Sequence, residues 1–333
     1  MIRLFSHFAV LVAVLIGSGC SNQAATPAIT VPVQQAHGER VRIEKLSTQH
    51  LPNAVRVHAK VISGGRPEGR AAFEELKSLG VKTVISVDGA QPDLATAELA
   101  GLRYVHLPHG YDGIPGTRAI ELAKAVRDLP GPIYIHCHHG KHRSPAAAAV
   151  ACVGAGMIEP ADALSVLKIA GTSEHYRGLF ESTQSAHPVE QELLDKLGAD
   201  FPATAKLPVM AEAMVSLERT HDHLISLAAA GWKPLPYQPD LLPAHEALLL
   251  REHFTELLRT AAARQRPQRF QMLLQAGETH ARDLEDGLRK WSASNTETGV
   301  PVAVSRSFAA VNDNCRACHQ KFRDIPLTEK GRE

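Results

Sequence analysis

A cysteine and an arginine flank a short histidine-rich stretch in the first half of the chain, His136-Cys137-His138-His139-Gly140-Lys141-His142-Arg143-Ser144. The apolar run 132–135 predicts a buried strand before it, and Ser144 and Pro145 suit the N-cap and first position of a following helix. A loop between a strand end and a helix start gathers backbone N–H groups beside the positive end of the helix dipole, which predicts an anion site. There Cys137 is expected to be a thiolate nucleophile, and the planar guanidinium of Arg143 matches a phosphate group.

A second group of reactive residues, Cys315-Arg316-Ala317-Cys318-His319, lies near the C-terminus. Cys-x-x-Cys-His is the attachment motif for c-type haem, in which both thiols form thioethers with the vinyl groups and the histidine binds the iron. Two alternatives are a zinc site, which would need further ligands, and a disulfide within the motif, which gives His319 no role. The sequence therefore predicts one covalent haem c held by Cys315, Cys318 and His319.

Composition places both groups in a chain large enough for two domains. The chain has 333 residues, of which 44% are hydrophobic and 21% charged, as in ordinary globular proteins. The formal net charge of +1 gives no indication of a nucleic-acid partner. The cysteines occur in contexts too different for a disulfide framework. Cys152, on the predicted helix after Arg143, is expected to be a buried small side chain.

The N-terminus has the pattern of an export signal over residues 1–19, with Arg3 followed by a short apolar run. Small residues before Cys20 resemble a bacterial lipoprotein cleavage site, which implies a lipid on Cys20. Ordinary cleavage would instead release a soluble exported protein. Residues 20–50, rich in small and polar residues, are expected to be a tether. Both interpretations place the mature protein in the periplasm or elsewhere outside the cytoplasm.

Hydrophobic periodicity divides the rest of the chain into two parts. Over residues 51–198 short apolar runs alternate with helical patterns, such as the helix expected over 160–170, and predict a mostly parallel sheet flanked by helices. Over residues 203–326 four amphipathic segments follow one another with no strand pattern between them. They predict an all-α four-helix bundle.

The motif around Cys137 resembles the signature loop of the cysteine-dependent phosphatases, in their dual-specificity or tyrosine form, over residues 50–190. The resemblance implies hydrolysis of a phosphate monoester through a phosphocysteine. Cys137 would be the nucleophile, Arg143 the phosphate ligand, and Ser144 a hydrogen-bond partner of the departing sulfur. The sequence Leu107-Pro108-His109-Gly110-Tyr111-Asp112 resembles the family's acid loop, which makes Asp112 the general acid, with Asp88 as the alternative. A rhodanese-like sulfur carrier has a similar loop and is a rival interpretation.

The residues inside the loop indicate the kind of substrate. His138, His139, Gly140, Lys141 and His142 are expected to bind it, and the basic side chains would favour a substrate with several phosphates. Equally, some of these side chains could face solvent or orient the loop. A phosphorylated protein, an inositol phosphate and a small phosphate ester all remain open.

Cys-x-x-Cys-His-x-x-Phe-Arg at the end of a four-helix pattern resembles the cytochrome c′ family over residues 205–325. The resemblance implies that His319 is the proximal iron ligand and that a methionine of the first helix is the sixth ligand in low-spin members. Met214 is the expected ligand and Met210 the alternative, although methionines on a helical stripe are often core residues. An iron without a sixth protein ligand would bind a gas such as nitric oxide.

Two functions follow from the two resemblances. The first is an exported phosphatase whose haem domain senses redox state or a gas. The alternative is an electron-transfer or gas-binding cytochrome, with a redox partner or gas ligand, whose phosphatase-like part only binds phosphorylated partners.

Overall fold

The computed structural model describes residues 42–293 and 299–330. The expected export signal, Cys20 and most of the expected tether lie outside these residues. The described residues belong to one compact unit, residues 41–333, in which an α/β part is followed by a helical part.

A mixed sheet of six strands organises the α/β part, in the order β1-β2-β3-β6-β4-β5. The strands are β1 Glu44–Lys45, β2 Val55–His58, β3 Val61–Gly65, β4 Thr83–Ser86, β5 Arg103–His106 and β6 Ile133–Cys137. Strands β3, β6, β4 and β5 are parallel, whereas β1 and β2 are antiparallel to their neighbours. Three of the five strand pairings are thus parallel, as expected for a mostly parallel sheet. The sheet is mixed because only the two residues Ala59 and Lys60 separate β2 from β3, and so short a connection forces an antiparallel hairpin.

The central strand β6 shows why the sheet is covered on both faces. Ile133 and Ile135 belong to one hydrophobic cluster, and Tyr134 belongs to another on the opposite face. Successive side chains of a strand point to opposite faces, so a wholly apolar run such as β6 must be buried on both. Its last residue, Cys137, ends at the carboxyl edge of the parallel strands.

Seven helices surround this sheet: α1 Gly69–Ser78, α2 Leu94–Leu99, α3 Gly116–Asp128, α4 Arg143–Gly154, α5 Pro160–Ala170, α6 Arg177–Gln184 and α7 Gln191–Lys196. The expected helix over residues 160–170 is confirmed by α5. Every residue of α4 is buried. Its alanine-rich sequence suits this position, because small side chains let neighbouring helices approach. A Cβ on Gly154 would meet the Cβ of Ala123 at 2.8 Å. The loop after β6 therefore rests on a closely packed helix.

The helical region, residues 209–322, contains the helices α8 Val209–Ala229, α9 Pro243–Arg259, α10 Ala261–Arg264, α11 Gln268–Ala293 and α12 Val302–Phe322. Its four long helices contribute side chains such as Leu224, Leu250, Leu284 and Val311 to one hydrophobic cluster. Cys318 belongs to the same cluster, so the Cys-x-x-Cys-His motif faces it. Among the described residues no helix is long and apolar enough to cross a membrane.

Replacement of Leu224 by alanine tests whether this cluster stabilises the helical region. Leu224 is fully buried, so we expect the Leu224→Ala variant to lose about 2–5 kcal/mol of unfolding free energy through lost contacts and the cavity left behind. The neighbouring Ile225 is 46% exposed and is the matched control, for which a change within about 0.5 kcal/mol is expected. Urea denaturation followed by circular dichroism measures both. Equal losses in the two variants would contradict the burial of Leu224.

Candidate functional site

The reactive cysteine and arginine occupy the two ends of one short loop, which we call the Cys137 loop (residues 138–142). Cys137 is the last residue of β6 and Arg143 the first of α4. Ser144 was expected to cap the helix, but the N-cap is His142 and the helix begins before Ser144. The reason is that the Ser144 side chain points back to the sheet instead of capping the helix: its Oγ donates to the carbonyl of Gly64 at 2.9 Å.

Three carbonyl oxygens of the Cys137 loop are bound from outside it. Arg66 N donates to His138 O at 3.0 Å, Asn53 Nδ2 to Gly140 O at 2.9 Å, and Thr172 Oγ1 to Lys141 O at 2.6 Å. In a planar trans peptide the carbonyl and the next N–H point in opposite directions. The N–H groups that follow these three carbonyls therefore point to the other side, into the loop, where they can bind an anion.

Gly140 allows the loop to lie against the neighbouring strand. Its φ is +71°, in the left-handed region, and a Cβ here would meet Gly65 N at 2.3 Å. No other residue type meets both conditions without strain. Gly140 thus shapes the loop through its backbone.

Ser144 links Cys137 to strand β3 through two side-chain contacts. Cys137 is 3% exposed, and its Sγ lies 3.3 Å from Ser144 Oγ. The Ser144 hydroxyl has one hydrogen, which it now donates to Gly64 O. A sulfur that carries negative charge would accept that hydrogen instead, so Ser144 is placed to stabilise a thiolate.

Arg143 is a buried cation with two specific contacts. Its Nη2 lies 3.2 Å from Asp88 Oδ1, and its guanidinium carbon lies 4.4 Å from the centroid of the Tyr111 ring. Burial opposes ionisation of Asp88, but Arg143, together with His136, His138 and the Ala90 N–H, outweighs it and holds the pKa of Asp88 below the ordinary aspartate value. Asp88, the alternative to Asp112 as general acid, is instead the counter-ion of Arg143. Neither contact of Arg143 could be found from a local motif.

One donor of Arg143, the Nε–H group, has no partner among the described residues. This Nε is buried and makes no hydrogen bond with any of the described residues, 42–293 and 299–330. An unpaired donor on a buried cation has a high free-energy cost, which a bound anion would remove. The loop N–H groups and this Nε are donors available for a tetrahedral anion.

Asp112 lies in the acid loop (residues 107–112), next to Tyr111. Since Tyr111 contacts Arg143, the acid loop and the Cys137 loop are neighbours. The Asp112 carboxylate forms an ion pair with Lys330, and its carbonyl accepts from Leu327 N at 2.9 Å. Leu327 and Lys330 therefore cover Asp112, the residue expected to be the general acid.

The basic side chains of the Cys137 loop separate into two groups. His138 Nε2 lies 3.3 Å from Asp222 Oδ2 of α8, and its ring packs against His139 at 4.3 Å between centroids. The hydrogen bond to Asp222 raises the pKa of His138. His142 packs against Tyr176 at 4.6 Å, and burial lowers its pKa to about 4. Lys141 is exposed.

A cavity of about 650 Å³ opens beside the loop on the His138 side. It is lined mainly by basic and polar residues: Lys45, His50, Pro52, Asn53, Arg66, Glu68, His138, His139 and Lys141. Glu68 is its one acidic lining residue, so the cavity has an excess of positive charge. Lys45, His50 and Arg66 lie far from the Cys137 loop in the sequence, and the sequence analysis did not name them as binding residues.

On α12 the Cys-x-x-Cys-His motif presents two thiols suited to attach a haem and one imidazole suited to bind its iron. Cys315 and Cys318 are free thiols one turn apart, both in contact with the core of the helical region. Burial is the main factor that lowers the pKa of the His319 imidazole, to about 3, and a neutral imidazole is the form that binds iron. The chemistry of these side chains fits covalent attachment of haem. No group of three or more acidic, histidine or cysteine side chains in the described ranges is arranged to hold a bare metal ion.

The expected sixth ligand, Met214, lies on α8 and is partly buried against the same core, as is Met210. His221 of α8 is near enough to influence the charge of His319 and forms a 2.5 Å hydrogen bond with Asn312 of α12. Helix α8 therefore faces the motif-bearing helix.

Comparison with known proteins found no matching family model and no matching curated protein. Several solved structures are similar to part of the chain. TpbA from P. aeruginosa is 22% identical with a TM-score of 0.37, over 45% of this chain and 92% of that one. The core catalytic domain of the PP-IP phosphatase SIW14 from S. cerevisiae, solved with citrate, is 16% identical with a TM-score of 0.36, over 45% of this chain and 93% of that one. At these values the function has to be judged from the geometry of the site itself.

Replacement of Gly140 by alanine tests the construction of the loop. We expect the Gly140→Ala variant to lose about 1–3 kcal/mol of stability and its affinity for inorganic phosphate, because the new Cβ displaces the loop from Gly65. Gly156→Ala is the matched control, since Gly156 has a φ of +69° but no heavy atom within 4 Å of the added Cβ. Thermal denaturation and titration calorimetry measure both properties. Phosphate binding by Gly140→Ala as strong as that of Gly156→Ala would refute this account of the loop.

Proposed function

We propose that this protein is a cysteine-dependent phosphatase that hydrolyses phosphate monoesters through a phosphocysteine intermediate and carries one covalent haem c. The observation that carries the phosphatase proposal is the buried, unpaired Nε of Arg143 beside the Cys137 loop. Ser144 Oγ, 3.3 Å from Cys137 Sγ, is close enough to turn its hydrogen from Gly64 O to a negatively charged sulfur.

In the first step the Cys137 thiolate attacks phosphorus, and the bond from phosphorus to the ester oxygen breaks. Arg143 and the loop N–H groups stabilise the charge on the phosphoryl oxygens. Protonated Asp112 gives its proton to the departing oxygen, so an alcohol or phenol leaves and a carboxylate remains.

In the second step water attacks the phosphocysteine. The Asp112 carboxylate takes one proton from this water, the bond between sulfur and phosphorus breaks, and inorganic phosphate leaves. Cys137 becomes a thiolate again, stabilised by the Ser144 hydroxyl. Both steps require the ion pair between Asp112 and Lys330 to open, because Lys330 occupies the carboxylate that has to reach the departing oxygen and then the water.

The substrate is a phosphorylated molecule: a phosphoprotein, an inositol phosphate or a small phosphate ester. The basic cavity beside the loop supports a substrate with further negative groups, which Lys45, Arg66 and Lys141 could bind. His138 would have to leave Asp222 to contribute, whereas Lys141 is free to do so.

The helical region is proposed to be a cytochrome c′-like four-helix bundle that holds haem through Cys315, Cys318 and His319. When bound, the haem supplies an iron that can change its redox state or bind a gas. The shared core of the four long helices and the free thiols support this proposal. Met214 as sixth ligand stays a prediction, to be decided by the spectra of Met214→Leu and Met210→Leu. The export signal and the lipid on Cys20 belong to the same proposal, because haem c is attached outside the bacterial cytoplasm.

The alternative function is a cytochrome, for electron transfer or gas binding, whose phosphatase-like part binds phosphorylated partners without turnover. One observation favours it: the Asp112 carboxylate is paired with Lys330 rather than open to a leaving group. An assay of turnover distinguishes the two functions.

Cys137 should be essential for hydrolysis of p-nitrophenyl phosphate. We expect no turnover above background with Cys137→Ser, and full turnover with Cys152→Ala, since Cys152 is buried in α4 away from the loop. The Asp112→Asn variant should lose about a hundredfold on esters with poor leaving groups and less on this aryl ester, as expected for a general acid. Parent protein that binds inorganic phosphate but releases none would favour the cytochrome alternative.

The haem proposal predicts a covalent adduct. Chain produced with the bacterial attachment machinery should carry one haem, seen in the intact mass and in the pyridine haemochrome spectrum, and the Cys315→Ser and Cys318→Ser double variant should carry none. Cys152→Ala is the matched control and should keep the parent's haem content. Parent protein without covalent haem under these conditions would rule the proposal out.

A further inference from the structure

Arg323 follows helix α12 and reaches the proposed phosphatase site from the helical half of the chain. Its guanidinium carbon lies 4.3 Å from the centroid of the Tyr111 ring, and that of Arg143 lies 4.4 Å from the same centroid. One aromatic side chain of the acid loop therefore contacts two cations. Each contact is of the kind that attracts a cation to the face of a ring.

Local contacts fix the position of Arg323. Its Nε lies 2.6 Å from Asp324 Oδ1, and its guanidinium carbon lies 5.9 Å from the centroid of Tyr176. Tyr176 packs against Tyr111 at 4.7 Å between centroids. Arg323 therefore contacts two tyrosine rings, Tyr111 and Tyr176, that pack against each other.

The residues after Arg323 are attached to the α/β part independently. Glu329 pairs with Arg177 at 2.7 Å, and Thr328 Oγ1 donates to Glu181 at 2.7 Å. Leu327 N donates to Asp112 O at 2.9 Å. We call residues 323–330 the C-terminal segment; these contacts hold it along the acid loop and helix α6.

Arg143 needs support of this kind. A guanidinium that binds a phosphoryl group through Nε must keep its plane at one orientation, and misplacement by a small distance costs much of the effect. Asp88 fixes only the Nη2 end. The Tyr111 ring fixes the plane, and Tyr111 is itself only half-buried, so its own position depends on Arg323 and Tyr176.

We propose that Arg323 is a positioning residue of the phosphatase site, which holds Tyr111 and through it the plane of Arg143. This inference rests on the proposed function. The active site then needs residues from two distant parts of the chain. Arg323 directly follows α12 and lies one helical turn after His319.

The test compares Arg323→Ala and Arg323→Lys in the full chain, with inorganic phosphate as the ligand and p-nitrophenyl phosphate as the substrate. We expect Arg323→Ala to weaken phosphate binding about three- to tenfold and to lower kcat/KM by the same factor, the scale of one cation–π contact. Arg323→Lys keeps a cation beside the ring and should recover most of both. Arg259→Ala is the matched control: Arg259 ends α9, pairs with the exposed Glu256, and should leave both values unchanged.

The outcomes separate the inference from the proposed function. Parent-like phosphate affinity and kcat/KM in Arg323→Ala, with Cys137-dependent turnover in the parent, would overturn the inference alone. So would equal losses in Arg323→Ala and Arg323→Lys, or a loss in Arg323→Ala explained by a lowered thermal midpoint. If the parent neither binds phosphate nor turns over the ester, the proposed function fails and the inference fails with it. Reduced phosphate affinity in Arg323→Ala with no turnover in any variant would support the positioning role and overturn only catalysis.

Discussion

The buried guanidinium of Arg143 is the constraint on which the α/β part depends. A cation removed from water needs a counter-ion and hydrogen bonds. A donor left unpaired costs free energy, which a bound anion would recover. Asp88 supplies the counter-ion and Tyr111 the ring contact, yet Nε remains open. Three different loops therefore have to meet at the carboxyl edge of the sheet. That requirement places an anion site where parallel strands end and α4 begins.

Much of this arrangement has a local origin and could be predicted from the sequence. The run 132–135 is apolar throughout, so it had to be a strand buried on both faces, and Gly140 with its flanking Cys137 and Arg143 marks the loop that follows. The four long helices could be predicted because their apolar residues recur with helical spacing. A helix boundary is harder to predict where two interactions compete for one side chain. Ser144 has the chemistry of an N-cap, but its hydroxyl binds Gly64 O, and the helix begins earlier.

The contacts that complete the site are long-range and have no local pattern. Asp88 looks like any aspartate that follows a strand, and only the fold shows that it faces Arg143. Lys330 and Arg323 follow α12, beyond the last stretch of helical periodicity. Their partners Asp112 and Tyr111 lie in the α/β part. Pairs so far apart in the sequence cannot be predicted from it, because the chemistry of a side chain does not specify which distant element will pack beside it.

Two ion pairs of opposite polarity link the α/β part to the rest of the chain at this edge. The Cys137 loop contributes His138, His139 and Lys141, and helix α8 brings Asp222 against His138. The helical half thus supplies an acidic group to a basic loop on one side of the site, while Lys330 supplies a cation to the acidic Asp112 on the other. A displacement along this edge would separate both pairs of charges, although each pair is partly exposed and contributes little by itself. With both pairs formed, Arg323 contacts Tyr111.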